Sequence, residues 1–150
     1  VKSEVLTVRA AGALPGAGAF DAAPTAVRVS GATAVDLHVR YTTAASIIGR
    51  PKLRVQWSGD APATAPGSVV WEEDVLLDGS TLAKTAGWWS LEGGGQEIRL
   101  PTPGVAATLR AWRLPLVPPR GSNWLRVAAA EHGDAANPGS LELTAVLELL

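Results

Sequence analysis

The chain has 150 residues, 47% of them hydrophobic and 18% charged, with a formal net charge of −1. A balance so near neutral gives no basic excess for a dedicated nucleic-acid binder or a polybasic membrane-surface protein, and no apolar run reaches the ~18 residues of a membrane span. Cysteine and methionine are both absent, which excludes disulfides, thiolate catalysis and cysteine-bound zinc.

Chain length fits one domain spanning residues 1–150, large enough to build a core without covalent staples. Strands are expected at 4–10 and 25–30, separated by Ala10–Pro24, which reads AAGALPGAGAFDAAP. That stretch is built of Ala, Gly and Pro, with Leu14 and Phe20 as its large apolar groups. It is expected to be either a long connection plugged onto the domain by those two side chains or a flexible arm reaching a neighbouring subunit.

Period-two alternation is clearest in the next strand, 35–41, where Val35, Leu37, Val39 and Tyr41 share one face and Asp36, His38 and Arg40 the other. The pattern repeats at 52–57 and 141–149, and weaker strands are expected at 68–77, 96–100, 107–116 and 122–131. Short helical turns are conceivable only at 81–86 and 128–131. Turn signals such as Asn137-Pro138-Gly139 separate the strands. One buried and one wet face per strand indicates antiparallel sheets. Eight or nine strands at this spacing predict an all-β antiparallel sandwich or barrel of jelly-roll or related Greek-key form.

Candidate chemistry is sparse. His38 sits on a polar strand face and His132 precedes Gly133-Asp134 in a loop; no serine lies in a Gly-x-Ser-x-Gly elbow. In the acidic run Glu72-Glu73-Asp74 only Glu72 and Asp74 share a face. Asp134 and Asn137 belong to a turn that offers oxygen ligands, without calcium-loop spacing. Gly93-Gly94-Gly95 lacks the Lys-Ser/Thr and the helix of a phosphate loop. No catalytic residue, metal site or cofactor is therefore assigned, and the chain is read as a non-enzyme.

Tryptophan is the dominant aromatic, with six residues against one Phe and one Tyr. Trp57 falls on the buried face of its strand. Trp88 and Trp89 are adjacent, so in an extended chain at most one enters the same core. The other is expected against a loop, a glycan or a protein partner. Leu14, Phe20, Trp88 and Trp89 are the expected partner-binding residues.

Gly18-Ala19-Phe20-Asp21-Ala22-Ala23-Pro24-Thr25, followed by the strand at 35–41, resembles small β-sandwich virion proteins of tailed bacteriophages. The stretch from Trp124-Leu125-Arg126-Val127 through Asn137-Pro138-Gly139-Ser140-Leu141 is similar in style. Within that group the analogy is to capsid decoration, or auxiliary, proteins. The resemblance implies a structural protein made in the host cytoplasm and mounted on the capsid surface, forming homo-oligomers, often trimers, that bind a major capsid protein lattice. It carries over no individual residues. Ten arginines to three lysines, few Asn and Gln, and eleven prolines fit a thermostable protein. The competing expectations are a carbohydrate-binding module stacking sugars on Trp88 or Trp89, and another phage tail, neck or fibre component.

Overall fold

The computed structural model describes residues 2–72, 89–90 and 97–150. Among these residues nine strands follow one another: β1 (Lys2–Ala13), β2 (Val27–Arg28), β3 (Ala32–Thr42), β4 (Pro51–Ser58), β5 (Trp89–Ser90), β6 (Glu97–Arg99), β7 (Leu109–Leu116), β8 (Trp124–Glu131) and β9 (Ser140–Leu149). Two short 3-10 turns, Gly16–Gly18 and Pro66–Ser68, are the helical elements among the described residues. β6 falls inside the strand expected at 96–100, while β5 lies where no strand is expected.

The first sheet runs β1-β9-β3-β7 and the second β2-β8-β4-β6-β5, with every pairing antiparallel. The pairs β1/β9, β2/β8, β3/β7 and β4/β6 nest inside one another and fall alternately in the two sheets. A long hairpin ribbon wound in this way is a jelly roll, with β5 added at the edge beyond β6. The sheets remain separate, so the molecule is an open sandwich and not a closed barrel.

The alternation that predicts the strands also builds the core. Val35, Leu37, Val39 and Tyr41 of β3 and Leu141, Leu143, Ala145 and Leu147 of β9 turn inward, against Leu53, Val55 and Trp57 of β4 and Leu125, Val127 and Ala129 of β8. Burying a side chain of Val, Leu or Ile size stabilises by about 1.5–3 kcal/mol.

The outer face of the second sheet is not the wet surface that alternation predicts. Trp124, Ala128 and Ala130 point away from the core and are nonetheless buried. Loop 59–72 covers the first, and Trp124 Nε1 donates to the Ala61 carbonyl at 3.2 Å. At the other end Phe20 lies over Arg54, 4.2 Å from its guanidinium carbon to the ring centre, and Lys52. These residues pair with Ala128 and Ala130, whose small side chains leave room for the ring. A strand covered on both faces needs no polar alternation, which explains the run Val127-Ala128-Ala129-Ala130 in β8. The strand continues there to Glu131, with no helical turn.

Candidate functional site

Four connections gather at one end of the sandwich: the start of 14–26, and loops 43–50, 100–108 and 132–139. Glu131, the last residue of β8, organises them. Its side chain is 1% exposed. Oε1 accepts from the Tyr41 hydroxyl at 2.6 Å and the Gly139 N–H at 2.9 Å. Oε2 accepts from the N–H groups of Arg50 (2.9 Å), Gly133 (2.9 Å) and Asp134 (3.2 Å). A buried carboxylate is costly unless its lone pairs are filled, and here five donors fill them. Burial alone would raise the Glu131 pKa, but the Tyr41 hydroxyl and the N–H groups of Gly139, Arg50 and Gly133 outweigh it and hold the carboxyl below its ordinary value. Burial, with donation to Glu131, pushes the Tyr41 phenol well above its ordinary range.

Glycines permit this convergence. A Cβ on Gly133 would lie 1.7 Å from the Ile48 carbonyl oxygen, and one on Gly139 would lie 2.5 Å from both the Thr42 carbonyl oxygen and Tyr41 Cε2. At Gly49 it would meet the Tyr41 hydroxyl at 2.6 Å.

Loops 43–50 and 100–108 are bound to each other as firmly as to the sandwich. The Thr43 N–H donates to Thr108 O (3.2 Å), its hydroxyl to Val105 O (2.7 Å), and the Ala107 N–H to Ala44 O (2.9 Å). The Thr102 hydroxyl lies within bonding distance of Ile47 O and Gly49 O. These anchored loops hold Ile47 and Ile48 out in solvent, 60% and 56% exposed, with Val105 and Leu109 also exposed at the same end. Arg50 and His132 stand beside them. Burial, followed by the charges of Arg50, Arg99 and Lys52, lowers the His132 pKa, against a smaller opposing pull from Glu97. This end therefore combines exposed apolar side chains with charged groups of both signs.

Leu14 and Phe20 are both engaged within the chain. Leu14 is 3% exposed and belongs to the core, so it is not a surface contact group. Phe20 is half-buried beneath Arg54 and Lys52. Between them, Asp21 ties the segment to β8: its N–H donates to Ala129 O at 3.0 Å and its Oδ2 accepts from the Ala129 N–H at 3.1 Å. Arg9 grips the same carboxylate through Nε (2.9 Å) and a terminal nitrogen (3.2 Å), and also donates to the carbonyls of Gly12, Ala13 and Leu141. In this chain the 14–26 segment is thus a connection lying along its own β8.

Trp88 lies outside the described residues, as do Glu73 and Asp74, the 81–86 turn and the Gly93–Gly95 run. Trp89 is placed in β5, paired with Ile98. Trp57 is buried as its strand phase predicts. Trp71 and Trp124 stack beneath Arg126 and Arg28, and Trp112 packs near Tyr41.

His38 faces outward on β3, opposite Arg113 and Thr144. Asp134 spends its oxygens on its own turn, accepting from the N–H groups of Ala136 and Asn137 and from Asn137 Nδ2. Hydrogen bonds from Ser46 and Asn137 hold its pKa down. Among the described residues no three His, Asp or Glu side chains converge as a metal-binding group. The isoleucine pair was missed because 43–50 reads as a loop without periodicity. Two adjacent β-branched apolar residues between Ser46 and Gly49 were the available signal.

Comparison with protein-family models, with curated proteins and with solved structures finds no match to the chain.

Proposed function

We propose that the chain is a non-enzymatic structural protein of a phage virion, a capsid decoration protein that binds the outer surface of the shell as a homo-oligomer, such as a trimer. The observation that supports this most is the loop end bearing Ile47, Ile48, Val105 and Leu109. Large exposed apolar side chains on loops already fixed by hydrogen bonds lose little conformational entropy on docking. Small contacts of this kind become strong when many copies engage one lattice. The jelly roll fits the reading, since capsid proteins are among those that use it; lectin domains use it as well.

The test uses shells assembled from a major capsid protein encoded beside this chain and lacking this protein. Wild-type protein should co-sediment with the shells to saturation. Ile47→Ser/Ile48→Ser should bind about tenfold or more weakly, with a stability change within about 0.5 kcal/mol because both positions are exposed. No co-sedimentation of the wild type, or binding indifferent to the double substitution, would sink the proposal.

A further inference from the structure

A two-sheet sandwich has four edges, and among the described residues two are blunted. β7 carries Pro115, which has no N–H to offer, with Arg110 and Arg113 on the same strand. On the second sheet β8 is sealed by β2 and by the 14–26 segment bonded to Ala129. The outer edge of the first sheet opposite β7 is β1, whose residues 2–5 are all exposed, Val5 to 65%. Irregularities between Thr7 and Arg9 and between Arg9 and Gly12 distort its second half, leaving residues 2–7 in regular register.

The phase of this edge can be read from β9. In an antiparallel strand each residue sends its N–H and C=O to one side, alternating along the chain. The carbonyls of Gly139 and Leu141 face β1, accepting from the Leu14 N–H at 2.9 Å and from the Arg9 side chain at 2.5 Å. The Glu148 carbonyl faces β3, where it accepts from the Thr33 hydroxyl at 3.2 Å. Odd-numbered residues of β9 therefore bond to β1, and their register partners Lys2, Glu4 and Leu6 bond back. Ser3, Val5 and Thr7 turn their backbone groups to the open edge.

The side chains along this edge are complementary to themselves. The sequence Lys2-Ser3-Glu4 reads positive, neutral, negative about Ser3. Antiparallel pairing with an identical segment, centred on Ser3, sets Lys2 of each copy opposite Glu4 of the other. Charges on an edge strand normally repel chance partners; this arrangement repels strands that lack the matching pattern.

We propose that β1 pairs edge to edge with β1 of a second copy across a twofold axis at Ser3, joining the first sheets of two molecules into one continuous sheet. A twofold contact of this kind is isologous, with the same patch used by both copies. Where copies are also grouped in threes, it links neighbouring groups. The inference rests on the homo-oligomer reading above; its charge series contains no shells and tests the β1 contact itself, so an oligomer indifferent to that series would sink this proposal and leave that reading standing.

Sedimentation velocity of the full chain, at concentrations up to about 1 mM, should show a monomer–dimer equilibrium or a higher even-numbered assembly. Ser3→Pro removes an edge-directed N–H that β9 does not use, so it should abolish the pairing while shifting Tm by no more than about 2 °C. Lys2→Glu and Glu4→Lys should each weaken dimerisation about tenfold, because each substitution acts twice across the axis, and the double swap should restore it. The charge series reads the contact even if the proline variant fails to fold. A monomer at every concentration, undiminished pairing in a folded S3P, or a double swap no better than its singles would each overturn the proposal.

Discussion

Tyr41 and Glu131 belong to opposite sheets and lie 90 residues apart in the chain, yet the phenol hydroxyl meets the carboxylate at 2.6 Å. Replacing Tyr41 by Phe removes one donor and leaves the four backbone donors in place, so the expected loss is about 1.5–3 kcal/mol. Glu131→Ala strips all five donors of their acceptor and should cost about 3–5 kcal/mol. Denaturant titration of both variants checks the order. If Y41F proved as damaging as E131A, the backbone donors would not be contributing as described.

The glycines around this pair make a sharper steric test. Gly133→Ala and Gly139→Ala place a Cβ against backbone atoms that cannot yield cheaply, and each should destabilise by about 3 kcal/mol. Gly12→Ala and Gly67→Ala meet nothing within 4 Å and should stay within about 0.5 kcal/mol of wild type. Thermal melts of the four variants distinguish crowding from a general intolerance of substitution.

Asp21→Ala should release the 14–26 segment from β8 and leave Arg9 without its carboxylate, at a cost of about 1.5–3 kcal/mol. Faster hydrogen exchange should be confined mainly to the Ala129 N–H and the adjoining segment. Uniform acceleration across both sheets would instead mean that Asp21 supports the whole sandwich.

Acid and alkaline stability should trace to different members of the same contact. Glu131 titrates below its ordinary 4.5 in the folded protein. The unfolded chain therefore takes up the proton first, and the stability is lost as pH falls from about 4.5 through the folded value. His132, held below its ordinary 6.5, begins a separate acid-side loss below that pH. Tyr41 is raised above 10.0, so its contribution is complete below pH 10 and declines above it. Y41F should flatten the alkaline limb in a pH series of denaturant midpoints, and E131Q should shrink the acid limb. A Y41F profile parallel to wild type above pH 10 would contradict this assignment.

The sandwich itself was legible because strands such as β3 and β9 bury one face and wet the other, so polarity reports orientation residue by residue. β8 was harder to read. Its outer alanines are roofed by Phe20 and its Trp124 by loop 59–72, and a strand covered twice carries no alternation to detect. Glu131 was invisible for a different reason. A lone acid at the end of an Ala run looks like surface, and its value comes from N–H groups contributed by Arg50, 81 residues away, and by Gly139. Leu14 sits in its own core, as the plugged-connection reading expects; the sequence could not choose between the two readings because a large apolar residue in a Gly/Ala stretch reads equally as an anchor for a neighbour or for its own core.

The nested ribbon also governs the order in which the molecule can assemble. β4 and β6 can pair while later segments are still emerging from the ribosome, but Lys2 must wait for Leu149. So high a sequence separation predicts slow folding, on the millisecond-to-second scale of β-rich domains. Meanwhile β1 remains a solitary strand exposed to chaperones and to other nascent chains, and synthesis rate and crowding should affect the yield of this protein more than its equilibrium stability would suggest.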